Sequence, residues 1–412
     1  MSKRFRPDLK SLQPLQSGPL GAYLESFAAL LVQRGYCSES GWDKVRLIAA
    51  LSRWMDRRKL RIEQLDEQRA IVFHAWHRKH VTRQGGDRCT LALLLRELRR
   101  ENLIPAPVAP LLTDFDLIDG VYRRFLREER ALMPITVEQY SALARRFLRH
   151  RFRDGKIRLK EVSAKDVIGF ILQDTTTRGR RASQFSATAM RSFLRYLFQE
   201  GRTATDLAMA IPPMPGGRLS ELPRYLEAEQ VEKLLQCCDR RRKVGKRDHA
   251  ILLLLARLGL RAGEVARLEM EDIDWASGEL LIRGKGDRID RMPLLQDVGE
   301  ALADYLRNGR PTCSARRVFV HCKAPYPGFS SPPNAVSGIV RRTLRRAGIQ
   351  SRHKGAHLLR HSLATSLLRG GVSIARIGDV LRHAHTQTTE IYAKVDLNAL
   401  RALAQPWPGG AQ

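Results

Sequence analysis

Two proline-rich breaks constrain this chain more than any other feature. The first is IPAPVAP at 104–110 and the second is IPPMPGGRLSELPRY at 211–225. Proline fixes its own φ and has no amide proton, so a helix cannot run through either stretch. The 412 residues therefore fall into an N-terminal block at 1–105, a second at 112–210, a third at 222–400 and a tail at 401–412. Domains of roughly 100–200 residues are usual, so each block is long enough to form its own core.

The first two blocks read as helical, and they read alike. LIAALSRWMDRRKLRIEQLDEQRAIVFHAW (47–76) and LARRFLRHRFRDGKIRLKEVSAKDVIGFIL (143–172) each give an amphipathic helix, a basic turn and a second helix. At an offset of 97, Leu51 meets Leu148, Leu60 meets Ile157, Leu65 meets Val162 and Phe73 meets Phe170. A duplicated helical DNA-binding unit is one expectation; a chance alignment of two amphipathic hairpins is the other.

The charge narrows the partner. A formal net charge of +29, with pI near 10.7, opposes compaction unless a polyanion neutralises it. Nucleic acid is the leading partner. No apolar span long enough for a bilayer and no lipidation motif is present, so no membrane is expected. The basic start lacks the apolar region of a secretory signal, and Cys37, Cys89, Cys237, Cys238, Cys313 and Cys322 form no C-x-x-C pair. Neither a metal site nor a disulfide framework is expected, and the location expected is the cytoplasm, in association with the nucleoid. His74, His77 and His80 sit in basic sequence without acidic or cysteine support, so they read as a basic helix face. There is no Walker-type phosphate loop, and no cofactor is expected.

The third block changes character. Helical LEAEQVEKLLQCC and DHAILLLLARLG precede GELLIRGKGDRIDRMPL, which reads as two short strands about a Gly-Lys-Gly turn. HLLRHSLATSLLRGG then ends at Gly370 and Gly371, a helix C-cap signal, and Ser373 is an N-cap for IARIGDVLRH. Thr386 or Thr388 would cap the segment carrying Tyr392. The fold class is mainly α with a small β-hairpin or sheet in the third block.

This block collects the groups that a tyrosine hydroxyl needs to attack a phosphodiester. The transition state gathers charge on its non-bridging oxygens, which arginine forks suit better than lysine points. Arg261 follows one helix end and precedes another helix, with Glu264 one turn on to orient it. His357 and Arg360 are three residues apart and share a helix face. Lys285 stands at the hairpin tip, from which it reaches either a minor groove or a scissile phosphate. His383 closes a helix nine residues before Tyr392. Tyr225, Tyr305 and Tyr326 follow no histidine-bearing helix end and rank below Tyr392, and His361 reads as a packing or hydrogen-bonding neighbour.

GLRAGEVARLEMEDID, IRGKGDRIDRMPL, HLLRHSLAT and LRHAHTQTTEIYAKV, in this order, resemble the catalytic motifs of the tyrosine recombinase (phage integrase) family. Residues 112–210, ending in SATAMRSFLRYLFQEG, resemble its helical, SAM-like core-binding domain. The first hundred or so residues are an extra helical module. The resemblance implies Arg261 and Arg360 as phosphate clamps, Tyr392 as nucleophile and Lys285 as general acid to the leaving oxygen. His357 and His383 would bond the phosphate and assist with protons, and Glu264 would support Arg261.

The implied activity is site-specific DNA recombination of the integrase or transposase type, as in mobile genetic elements, through a covalent 3′-phosphotyrosine. The implied partner is double-stranded DNA with specific recombination sites. The implied assembly is a homotetramer on two synapsed sites, with an accessory or second recombinase as a further partner and the C-terminal tail docking on a neighbour. Two other classes fit parts of the pattern: a type IB topoisomerase, and a DNA-binding accessory protein without catalysis. One position departs from the family, which usually has Leu-Gly-His where this chain has Leu381-Arg382-His383. Glycine there permits a left-handed turn, so Arg382 either alters the local backbone or adds a phosphate contact.

Overall fold

The computed structural model describes residues 5–80, 86–107, 112–177, 180–213, 225–284, 288–329, 332–383, 389, 391 and 392. The chain divides into two compact units, residues 1–107 with 221–412, and residues 108–220. Both are built mainly from helices.

The first unit opens with α1 (Leu9–Leu12), α2 (Leu24–Gln33), α3 (Ser38–Arg57), α4 (Glu67–His80) and α5 (Asp87–Arg100). Their apolar stripes close on a core containing Phe27, Leu51, Trp54, Phe73 and Leu94. Arg57 and Arg58 lay their guanidinium groups over the rings of Trp76 and Trp54. These arginines therefore cover aromatic surface as well as carrying charge.

The second unit holds α6 (Asp114–Glu128), α7 (Pro134–Arg151), α8 (Ala164–Thr177) and α9 (Arg180–Gln199). Thr113 and Asp116 cap α6 reciprocally, each side chain accepting the other's backbone N–H. The core stacks Tyr122 edge-on to Phe193 and Phe147 edge-on to Phe170. The 97-residue offset seen in the sequence is also present in the elements. The 3₁₀ turn Ile62–Gln64 corresponds to Leu159–Glu161, and the start of α4 at Glu67 corresponds to the start of α8 at Ala164. The paired residues Leu51 and Leu148, Leu65 and Val162, and Phe73 and Phe170 are all buried.

The rest of the first unit is organised around α11. Its elements are α10 (Ala228–Gln236), α11 (Lys243–Arg257), α12 (Ala262–Arg267), β1 (Ile273–Asp274), β2 (Glu279–Arg283) and β3 (Ile289–Pro293). They continue with α13 (Gln296–Asp304), a π-helical turn at Tyr305–Gly309, α14 (Pro332–Arg346), α15 (His357–Arg369) and α16 (Ile374–Val380). Ile251 to Leu255 are five consecutive apolar residues, all buried. A helix that is apolar all round must be enclosed, and α10, α12, α13, α14 and α15 pack around α11.

The sheet has three antiparallel strands in the order β1-β2-β3 rather than the two expected. The extra strand is two residues long, pairing Ile273 with Leu280, too short to leave a period in the sequence. Leu281 faces Arg291 across β2 and β3, and Gly284 donates to the Arg288 carbonyl just inside the turn. Gly371 takes the left-handed conformation after α15, and Ser373 accepts from the Arg376 amide as the N-cap of α16. Both features are as the sequence indicates. The proposed Thr386 or Thr388 cap and the 401–412 tail lie outside the described residues.

Candidate active site

The site forms where α11, α12, α15 and α16 end or begin near one another. Arg261 is the N-cap of α12. Its backbone N–H donates to one oxygen of Glu264 at 2.8 Å and its Nη1 to the other at 2.7 Å. Glu264 is buried. Burial alone would raise its carboxyl pKa, but the Arg261 hydrogen bonds and the Arg382 charge outweigh that and lower it. Glu264 is thus an anion that fixes Arg261 from behind.

Arg360 lies on the first turn of α15 and is only 3% exposed. Its guanidinium donates to the carbonyls of Gly259 and Leu381. This joins the end of α11 to the turn after α16. Burial, with Arg261 close by, brings its pKa down to about 10. A guanidinium has five N–H donors, so two carbonyl bonds do not exhaust it. Gly259 sits at φ +57, and an added Cβ would come within 2.8 Å of Leu381 and 3.0 Å of Leu363. Glycine is required there for its backbone angle and for the close approach.

Tyr392 is 1% exposed and packs into a small separate core with Ala364, Ile377 and Leu381. Its hydroxyl lies 2.8 Å from Nδ1 of His361. Burial pushes the phenol up to about 12, with Arg360 pulling it back in part. His383 meets Thr389 through its Nδ1 at 2.7 Å. Burial, then Arg360 and Arg261, push it down to about 4, so the ring is neutral near pH 7. His357 lies beside His361, with ring centroids 6.3 Å apart.

Arg261, Arg360, His357, His383 and Tyr392 are therefore gathered at this one place, while Lys285 lies outside the described residues. The alternative tyrosines are held elsewhere. Tyr326 donates to the Gly35 carbonyl, Tyr305 is buried against Phe319, and Tyr225 accepts from Arg369. His361 is the hydrogen-bonding neighbour that the sequence suggested, and its partner is Tyr392. It is the residue after Arg360, on the same helix turn as the site.

Arg382 corrects an expectation. It does adopt the left-handed turn, at φ +54, despite carrying a side chain. It is buried rather than presented to a phosphate. Its Nη2 donates to Glu264 at 2.8 Å, Nη1 meets the Met292 sulfur, and Nε stands 3.8 Å from Asp290.

A cleft of about 510 Å³ is lined by Glu232, Lys246, Arg257 and Asp304, and none of the site residues borders it. Among the described residues, no three His, Cys, Asp or Glu side chains are grouped to hold a metal ion. No described helix is long and apolar enough to cross a membrane.

Residues 224–398 match the model of the phage integrase family. "Putative integrase/recombinase y4rA" of Sinorhizobium fredii (strain NBRC 101917 / NGR234) is 42% identical over 399 residues, spanning 96% of each chain. "Tyrosine recombinase XerD" of Mycobacterium tuberculosis (strain ATCC 25618 / H37Rv) is 31% identical over 306 residues, 70% of this chain and 95% of that one. Among solved structures, XerH site-specific recombinase bound to palindromic difH substrate aligns with a TM-score of 0.54 at 20% identity. That alignment covers 88% of this chain and 96% of the other, and the likeness is one of fold. The chain belongs to the tyrosine recombinase (phage integrase) family. It is a site-specific DNA recombinase.

Proposed function

We propose that Tyr392 is the nucleophile that breaks and rejoins DNA strands in this recombinase. The observation that carries this is the Tyr392 hydroxyl hydrogen-bonded to His361, with Arg360 close enough to lower its pKa. Attack on a phosphodiester joins the phenol oxygen to phosphorus, breaks the bond to the 5′-oxygen and leaves a 3′-phosphotyrosine. The phenol proton passes to a nearby base, for which His361 is placed. The leaving 5′-oxygen takes a proton from Lys285.

Arg261 and Arg360 neutralise the non-bridging oxygens, where charge grows in the transition state. His357 and neutral His383 add hydrogen bonds to the same group. Rejoining reverses these steps with a 5′-hydroxyl from another strand, because the phosphotyrosine bond keeps the energy of the phosphodiester.

The N-terminal block at 1–105 acts as a second copy of the helical DNA-binding unit at 112–210. The shared offset of turn, helix start and buried residues supports this. Both modules and the 222–400 block contact the duplex, chiefly through phosphates. The working assembly is a homotetramer on two synapsed sites, with residues 401–412 docking on a neighbour.

A suicide-substrate assay, in which the cleaved fragment diffuses away, tests the central step. The wild type is expected to trap a covalent DNA adduct and Tyr392→Phe to trap none; an adduct in the variant would overturn the assignment.

A further inference from the structure

Arg382 stands where a left-handed backbone favours glycine, yet the position carries a long charged side chain. L-residues are disfavoured at φ +54 because Cβ crowds the following carbonyl oxygen. A conformation of that kind persists where the surrounding structure over-determines it. Here the surroundings are specific. The guanidinium is buried and touches two elements besides its own turn: Glu264 on α12, and Met292 with Asp290 on β3. Glu264 is the same carboxylate that holds Arg261, through its backbone N–H and its Nη1. One anion is therefore shared by two guanidinium groups, of which one is buried and the other partly exposed.

We propose that Arg382 is a positioning residue that sets Arg261 against the scissile phosphate by holding Glu264 in place. It also ties β3, one arm of the hairpin that carries Lys285, to the turn that precedes His383. Removal of Arg382 would leave Glu264 free to swing with Arg261. It would also remove a contact between β3 and the segment leading to the nucleophile. The assignment rests on Arg261 acting as a phosphate clamp, as proposed above.

The test times cleavage of a suicide duplex at saturating protein for wild type, Arg382→Gly and Arg382→Lys. Each is measured on the ordinary scissile phosphodiester and on a methylphosphonate at that position. The methylphosphonate replaces one non-bridging oxygen with a methyl group, which removes one negative charge from the phosphate and so lessens what the Arg261 clamp has to neutralise. Arg382→Gly is expected to slow cleavage of the phosphodiester by about 100-fold, as a small misplacement of a catalytic group does. Its penalty on the methylphosphonate is expected to be much smaller. Arg382→Lys is expected to recover part of the loss, because an ammonium restores a partner to Glu264, and it supports the same comparison if the glycine variant fails to fold. The salt dependence of DNA binding is expected to stay as in the wild type.

An equal penalty on the two substrates overturns the proposal. So does a shallower salt dependence, which would make Arg382 a phosphate contact. A wild type that forms no adduct with the phosphodiester overturns the nucleophile assignment itself, and this one with it.

Discussion

His361 Nδ1 and the Tyr392 hydroxyl are 2.8 Å apart, although 31 residues separate them in the chain. The buried phenol, pushed up to about 12, holds its proton at neutral pH. The attacking oxygen must lose that proton as it bonds to phosphorus. His361→Ala is expected to slow adduct formation by roughly 10²–10⁴-fold, the usual contribution of a general base. Single-turnover cleavage at saturating protein measures this, and a filter-binding affinity equal to that of the wild type separates it from a binding defect. An unchanged cleavage rate would remove His361 from the chemistry.

His383 gives the site a pH signature in stability. Burial and the neighbouring arginines lower its pKa from 6.5 to about 4, so as pH falls the unfolded chain takes up this proton first. The stabilisation is complete above pH 6.5 and is lost as pH falls through about 4. Melting temperatures are expected to decline over that window, and His383→Gln is expected to decline less steeply. Parallel curves for the two proteins would contradict the shift.

Gly259→Ala combines two penalties. The left-handed backbone costs a residue with a side chain about 1–2 kcal/mol, and the new methyl group would meet Leu381 and Leu363. Because the Gly259 carbonyl also accepts from Arg360, the cost reaches the site. Chemical denaturation is expected to show a loss of more than about 1 kcal/mol, with a cleavage defect that persists under conditions where the variant is fully folded.

The proposed duplication of the helical module predicts a salt effect. Arg53, Arg61, Arg78 and Lys79 are exposed on α3, α4 and the turn between them. If this face meets phosphates, each removed charge lowers the slope of log affinity against log salt by about one. Replacing Arg61 and Arg78 with Gln is expected to flatten the slope by up to about two and to weaken all DNA sequences alike. A slope equal to that of the wild type would assign the module to another partner.

Much of the site was legible because local signals carried it. Arg261 is a helix cap with its acid three residues on, and His357 and Arg360 share one helix turn, so spacing alone brings each pair together. Gly371 and Ser373 announce the ends of α15 and α16 by backbone chemistry that tolerates few substitutes. The rest required tertiary structure. Arg382 reaches Glu264 across 118 positions of sequence, a pairing that no period encodes. Its burial reverses what an arginine in a basic stretch usually means. The strand Ile273–Asp274 escaped notice because two residues are too few to alternate.

The Glu264 carboxylate held between two guanidinium groups has a consequence for descent. With Arg382 in place, loss of Glu264 would leave a buried cation with only the more distant Asp290 beside it, at a cost approaching the roughly 3–5 kcal/mol of removing one member of a buried pair. A glycine at 382 makes no such demand on its neighbours. The residues at 264, 290 and 382 should therefore change in step as lineages diverge. A chimera that takes its hairpin from a glycine-bearing relative and the segment around Arg382 from this chain should fail at their junction, although each parent works.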